Sequence, residues 1–479
     1  MKQFLLLCTA LITGYCTLAN NITITDVIYN NGAGTVTFNI SWENSWRTNT
    51  APNNWDAAWV FIKRKNCNLN YWQHQDVSST AANHSTIAPL QVQTTPDGKG
   101  VFIRRSGNGT GNIASTSVTI KLGTVPGAIA EWDMQVIGIE MVYIPQGSFQ
   151  LGDGISTYTF RQGGGTAPTA PYTVASEAAI TFANTAGNVY ADAYAPTGGI
   201  ISAAYPKGFN ALYCMKYEIS QGQYVDFLNA LSPDQSAARF PNANSSARHT
   251  ISGVWPTFSA SAGNRACNYL TYADVCAYND WSGLAPMSEM EFEKICRGTS
   301  SAVANEKAWG TSLVTDGYTM INDALGNEGV TETITAGSGL ANCASITTLP
   351  SGPVRCGFAA KAATTRLEAG ATFYGVMEMS GNVFEYLMGV VGAGTNFVGT
   401  AHGDGNLQFT PNEGLSDVAG WVNQTVIANQ ASGAGASLRG GSWGDAATQL
   451  SVSDRYYSSN TGGSRTLYTG GRGVRRSFN

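Results

Sequence analysis

Charge is scarce in this sequence. Only 12% of its 479 residues are Asp, Glu, Lys or Arg, about half the share of an ordinary soluble protein. The 27 basic and 32 acidic residues leave a net charge of −5, so the basic field of a dedicated nucleic-acid binder is missing. Histidine is scarcer still: His74, His84, His249 and His402 are scattered, with no paired spacing on a helix. No Cys-x-x-Cys occurs, which removes thioredoxin chemistry and zinc knuckles. No apolar run reaches the ~20 residues of a membrane span.

Glycine and aromatic residues are plentiful. There are 55 Gly, 11 Trp and 21 Tyr, ample material for a core and far from a disordered composition. With many Asn, Ser and Thr, this composition suggests a loop-rich, extracellular β-type protein. Lys2, the apolar run around Phe4–Leu7 and the small-residue site Thr17-Leu18-Ala19 read as a secretory signal over residues 1–19, cut after Ala19. Setting aside Cys8 and Cys16 leaves Cys67, Cys214, Cys267, Cys276, Cys296, Cys343 and Cys356, an odd number that leaves at least one thiol without an intramolecular partner. Export permits disulfides, and Cys343 with Cys356, flanking a Pro/Gly-rich loop, is the best candidate pair.

Alternating residues over Ile22–Thr25, Thr35–Trp42 and Ser117–Leu122, with apolar runs at Trp59–Ile62 and Val101–Ile103, predict strands separated by Gly, Asn and Pro turns. They suggest a small all-β sandwich, of immunoglobulin or fibronectin type, over residues 20–127. Helices are predicted in three places. Tyr224, Phe227, Leu228 and Leu231 mark the first, near 221–231. Thr271 with Asp274 opens a second that runs to Trp281, and Ser288 with Glu291 opens a third, ended by Gly298. Residues 152–205 and 301–370 are long Gly/Ala/Thr-rich stretches, of a length usually functional or held in place by ions.

Several motifs then occur in order. They are Glu140–Pro145 with Gly147 and Phe149; Tyr217-Glu218-Ile219-Ser220; Leu284 through Gly298; Gly375 through Tyr386; Arg439-Gly440-Gly441-Ser442-Trp443; and Gly473-Val474-Arg475. Their order and spacing resemble the formylglycine-generating enzyme (sulfatase-modifying factor) domain, over residues 130–479. The resemblance implies an α+β, C-type-lectin-like fold with little regular secondary structure. The preceding β-unit looks like the N-terminal extension of secreted Bacteroidetes-type members.

The resemblance also implies what should be missing. The authentic enzymes hold copper with two thiolates shortly after the Arg-Gly-Gly-Ser-aromatic motif, a soft-ligand site that other side chains replace poorly. No cysteine follows Cys356, so no copper is expected. A second branch of the family uses an iron bound by a histidine triad, and the four scattered histidines do not suggest one. The family further implies a structural calcium around Glu378, Gly381, Val383 and Glu385, with a second set at Asn322 and Asp323. An alternative for Glu385 is a buried ion pair with Arg439 or Arg475. Arg465, Arg472, Arg475 and Arg476 form a basic cluster better explained by internal ion pairing than by nucleic acid. Trp42, Trp46, Trp55, Trp59 and Trp72 suggest either a ligand platform or core packing.

Three functions compete. The first is a secreted, catalytically inactive structural or adhesive module, binding copies of itself or cell-surface components and assembling into a layer or fibre. The second is a lectin-like binder using residues 444–472, with Asp445, Ser451, Ser453, Asp454, Tyr456 and Tyr457 as contacts. The third is a metal-dependent oxidase with relocated ligands, Cys343 and Cys356 among them.

Overall fold

The computed structural model describes residues 21–477 apart from 67, 125–131, 167, 197, 244–245, 316–318, 324–326, 332–334, 347–349, 363, 412, 423–434 and 460–462. The signal segment and Cys67 thus lie outside the described residues.

The alternating segments form the expected strands. β1 (Thr23–Asn30), β2 (Thr35–Arg47), β5 (Ser85–Thr86) and β8 (Gly109–Lys121) make an outer sheet in the order β1-β2-β8-β5. β3 (Asp56–Lys65), β4 (Gln73–Gln75), β6 (Leu90–Thr94) and β7 (Val101–Arg105) belong to a second layer, but that layer does not end with the N-terminal unit. β3 pairs antiparallel with β9 (Asp133–Ile144) from Asp56↔Val142 to Lys65↔Asp133. β9 pairs in turn with the Leu212–Met215 strand, which pairs with Gly473–Arg476. One eight-stranded sheet therefore runs through both halves of the chain.

This corrects the expectation of a self-contained sandwich over 20–127, and the reason is legible in β3. Ala58, Val60 and Ile62 pack against the outer sheet with Val36, Phe38 and Ile40, while Ala57, Trp59 and Phe61 face the core formed with Trp281 and Tyr213. Successive side chains of a strand point to opposite faces, so a strand apolar on both faces needs a cover on each side. The second cover is the C-terminal part of the chain: Trp59 Nε1 donates to the Ser282 carbonyl at 2.8 Å, and Lys63 Nζ donates to the Trp281 and Gly405 carbonyls at 2.6 Å.

Beyond β9 the described chain is mostly short strands and ordered loops, with four α-helices. α1 (Gln221–Ala230), α3 (Tyr272–Trp281) and α4 (Glu289–Arg297) occur as predicted, each opened by a capping box at Ser220, Thr271 and Ser288. α2 (Pro233–Arg239) was not foreseen, although Ser232, Pro233 and Gln235 carry the same start signal. The 152–205 stretch holds small antiparallel ladders: Phe149–Leu151 with Tyr172–Val174, Phe160–Gln162 with Val189–Ala191, and Ile180–Thr181 with Ile200–Ile201.

The tryptophans do not share a platform. Trp42 and Trp59 are core residues, Trp55 stacks on Tyr143 at 4.0 Å, and Trp72 lies under Lys65.

Candidate functional site

Buried ion pairs hold the long loops. Arg439 reaches Glu289 at 2.9 Å and Glu293 at 2.8 Å, Arg455 reaches Glu289 at 3.0 Å, and Arg297 joins Glu293 at 3.1 Å. All of these side chains are fully buried, and Glu289 stays below the usual carboxylate range because Arg455 and Arg439 outweigh its burial. The C-terminal basic cluster is internal too: Arg465 pairs with Asp274, Arg472 with Glu385, Arg475 with Asp97 and Arg476 with Glu291.

Arg472 changes the reading of the expected calcium residues. Its guanidinium lies 2.6 Å from Glu385 and donates to the carbonyls of Met215 (3.0 Å), Lys216 (3.3 Å) and Met377 (2.8 Å). The Val383 N–H donates to Glu218 at 3.0 Å and the Gly381 N–H to the Gly440 carbonyl at 2.8 Å. A guanidinium from the chain thus neutralises one oxygen of Glu385, while the second oxygen of Glu385, like one of Glu378, is buried without a hydrogen-bond partner. The partner of Glu385 is Arg472 rather than Arg439 or Arg475. Arginines also reach the second expected set. Asp323 pairs with Arg248, and its carbonyl accepts from Arg265 at 2.6 Å, both arginines also binding Glu328.

Glu378 keeps an unusual carboxyl. It sits at φ 54°, a conformation that Asp or Asn enters more readily. One oxygen accepts from the Gly357 N–H at 2.8 Å and the other has no partner. Burial pushes it up to about 7, against Arg472 and the Gly357 N–H. The folded state thus favours the protonated acid. Its stabilising contribution is complete below the unfolded value near 4.5 and is lost as pH rises through about 7. Glu378→Gln is therefore expected to raise unfolding free energy at pH 8 by roughly 3 kcal/mol and to leave it nearly unchanged at pH 4. Urea denaturation at the two values checks this; an equal effect at both would refute the assignment.

Above this framework the loops enclose a pocket of about 410 Å³, lined by Phe384, Tyr386, Leu438, Gly444, Asp445, Tyr457, Ser464, Thr466, Tyr468 and Thr469. Its floor comes from the Phe384–Met388 strand, where alternation turns Phe384 and Tyr386 to one face and Glu385 to the other, toward Arg472. One wall is a turn over Ser442–Asp445: the Asp445 N–H donates to the Ser442 carbonyl at 3.1 Å, and the Asp445 carboxylate accepts from the Ser442 N–H and hydroxyl. Burial raises the Asp445 carboxyl, and the Ser442 hydrogen bonds oppose the rise. Trp443 and Tyr468 meet at 4.9 Å, and Trp443 Nε1 is anchored on the Leu467 carbonyl at 3.1 Å. Gly444 permits this contact, since a β-carbon there would stand 2.3 Å from the Tyr468 ring. Tyr457 packs edge-on against Phe384 at 5.0 Å.

Asp445 and Tyr457, expected as ligand contacts, line this pocket. Tyr456 lies outside it, exposed, edge-on to Tyr457 at 4.9 Å and stacked on Tyr158 at 6.3 Å. Ser451, Ser453 and Asp454 turn inward, which corrects their assignment. Ser451 accepts from Lys307 at 2.9 Å, and Ser453 accepts from Arg297 at 2.8 Å and donates to Glu293 at 3.1 Å. Asp454 is buried and its carboxyl is pushed up to about 6 by burial. Sequence reasoning missed Phe384, Tyr386 and Tyr468; the alternation within Phe384-Glu385-Tyr386 was the available signal.

The expected disulfide is corrected as well. Cys343 and Cys356 are free, buried thiols in separate apolar clusters. Burial raises both thiols, the reverse of the thiolate that copper requires. Among the described residues, Asp280, Asp404 and Asp417 bring carboxylate oxygens within 4.8 Å of one another. There the Asp280 carboxylate accepts the Asp404 and Asp417 N–H groups at 2.9 and 3.2 Å and clamps their loops.

The molecule is thus a mostly β protein with few helices, in which buried ion pairs hold loops around an aromatic pocket. The sulfatase-modifying factor enzyme 1-like domain matches residues 133–477, and the chain belongs to that family. No curated protein sequence matches it. Among solved structures, the Major Tropism Determinant U1 Variant is similar at 13% identity, over 74% of this chain and 69% of that one, with a TM-score of 0.25. No described helix is long and apolar enough to cross a membrane.

Proposed function

We propose that this chain is a secreted, non-oxidising member of the family, with a lectin-like fold, that works by binding a ligand in the pocket between Phe384 and Thr469. The carrying observation is the composition of that pocket: aromatic rings on floor and walls, one carboxylate, and hydroxyls at Ser464 and Thr466. Saccharide units fit this chemistry, one ring face lying on Tyr457 or Tyr468 and hydroxyls bonding Asp445, Ser464 and Thr466. None of the lining residues is a cysteine or a histidine, so the pocket offers neither a thiolate pair nor an imidazole for redox metal chemistry.

A glycan array followed by calorimetry on the best ligand tests the reading. Tyr468→Ala is expected to weaken binding at least about tenfold, or roughly 1.4 kcal/mol, and Gly444→Val to do the same by displacing the Tyr468 ring. Unchanged affinity in both variants, or no ligand on the array, would remove this function.

An adhesive role through self-association has its own support. β1 and β5 are the two edges of the outer sheet, and Ile28 within β1 and Ile87 next to β5 are 63% and 67% exposed. Pairing one edge with the other edge of a second copy is a head-to-tail contact that extends without closure. Electron microscopy showing filaments that Ile28→Lys abolishes is the expected result; dispersed monomers at all concentrations would discard it.

A further inference from the structure

A larger cavity, of about 890 Å³, opens where the N-terminal unit meets the family domain. Asn44, Trp46, Thr48, Ala51, Pro52 and Asn54 line it from the N-terminal side, and Lys216, Tyr217, Lys361, Thr364, Arg366 and Phe373 are among those that line it from the other. It is a built junction. Asn54 Nδ2 donates to the Tyr374 carbonyl at 2.6 Å, and a β-carbon at Gly375 would come within 3.2 Å of the Trp46 ring. Lys216 Nζ stands 5.2 Å from the centres of both the Trp46 and Tyr217 rings.

The charge of the cavity runs against that of the chain. The protein carries −5 overall, yet the residues lining this cavity include Lys216, Lys361 and Arg366 and not one carboxylate. Lys216 is balanced from behind by Glu140 at 2.7 Å. Burial alone would lower its ammonium, but Glu140, Tyr217 and Asp56 hold it well above the usual lysine range, so it is charged. The surplus resides in the other two. The Arg366 guanidinium donates to the Ala371 carbonyl at 2.9 Å, and no ion pair with a described carboxylate forms at either Lys361 or Arg366. Two cations in a cavity also lined by Trp46, Tyr217, Phe373 and Tyr374, with Thr48, Asn54, Thr364 and Thr365, have the makings of a site for an anion attached to a ring.

We infer that the junction cavity is a second ligand site, for an acidic saccharide whose ring lies against Trp46 and whose carboxylate or sulfate is held by Lys361 and Arg366. The site is separate from the Phe384–Thr469 pocket, and it exists only because the N-terminal unit supplies one wall. Association through these cations should weaken as salt rises.

Calorimetry on the whole protein with three probes tests this: trigalacturonic acid, a heparin-derived tetrasaccharide, and neutral cellotetraose. At least one acidic probe is expected to bind saturably, at least about tenfold tighter than cellotetraose; the tighter of the two identifies the anionic group preferred. Lys361→Gln with Arg366→Gln should weaken the acidic probe at least about tenfold and flatten its salt dependence, while Lys361→Arg with Arg366→Lys, which keeps both charges, keeps the salt dependence. Both positions lie at the surface, so a normal thermal melt separates lost binding from lost folding. Tyr468→Ala should leave acidic binding unchanged, so failure of the proposed pocket and failure of this site are told apart. No binding of either acidic probe, equal binding of cellotetraose in the Tyr468→Ala protein, or indifference to the Gln pair would overturn the inference.

Discussion

Replacing Arg472 by methionine is expected to destabilise the protein by about 3–5 kcal/mol, the usual cost of removing one partner from a fully buried ion pair. Glu385 would be left without its cation, and the carbonyls of Met215, Lys216 and Met377 would lose a shared donor. Each unsatisfied group adds to the penalty. These acceptors come from two segments far apart in sequence, Met215–Lys216 and 377–385, so one side chain just before the C-terminal strand joins the central sheet to the 377–385 segment. Arg472→Lys should recover only part of the loss, because an ammonium cannot reproduce the planar fork that meets the Glu385 carboxylate and the carbonyls together. Adding Glu385→Gln to Arg472→Met should recover more than it costs alone. Chemical denaturation of these variants and of Glu385→Gln alone measures this, and a change under 1 kcal/mol in Arg472→Met would contradict the account.

The second large effect concerns chain length. A fragment starting at residue 130, which retains the whole family match, is expected to aggregate rather than fold. It would expose β9 along the length of its pairing with β3, and it would uncover the apolar face that Trp59 and Phe61 close. An unpaired, flat and apolar sheet edge is an aggregation template. Trp59→Ala in the full chain probes the same contact in milder form, with an expected loss of about 3–5 kcal/mol. Size-exclusion chromatography of the fragment beside the full protein decides the matter: a soluble, monodisperse fragment with native-like circular dichroism would show that the two parts fold independently.

Much of the architecture could be read from local patterns. Alternation revealed β1, β2 and β8 because each has one face toward the outer-sheet core and one toward solvent. The spacing of Tyr224, Phe227, Leu228 and Leu231 revealed α1, and side-chain caps revealed α3 and α4, since a Ser or Thr followed by a polar residue three positions on is a local device. The continuity of the central sheet was not legible. The apolar run in β3 marks a strand buried on both sides, but nothing in a run of apolar residues says what covers the second face. The functional pocket was half legible for a similar reason. Polarity brought Asp445 and Tyr457 to notice and also Ser451 and Ser453, yet a hydroxyl serving Lys307 or Arg297 inside the protein looks the same in sequence as one facing a ligand. Phe384 and Tyr386 were hidden by the opposite bias, because large apolar side chains in a strand are taken for core. Low charge was informative only in aggregate: it did not indicate that many of the arginines present are spent on burying carboxylates.

The guanidinia at Glu385 and Glu328 have a consequence for where such a protein can persist. A carboxylate that relies on a dissolved cation for compensation is only as stable as that ion's concentration allows, and its protection falls by mass action when the ion is diluted or sequestered. A cation carried on the same chain never leaves its partner's neighbourhood; its effective concentration is set by geometry. At these two points the compensating cation comes from the chain itself, so that mutation, rather than dilution of an ion, is what removes it.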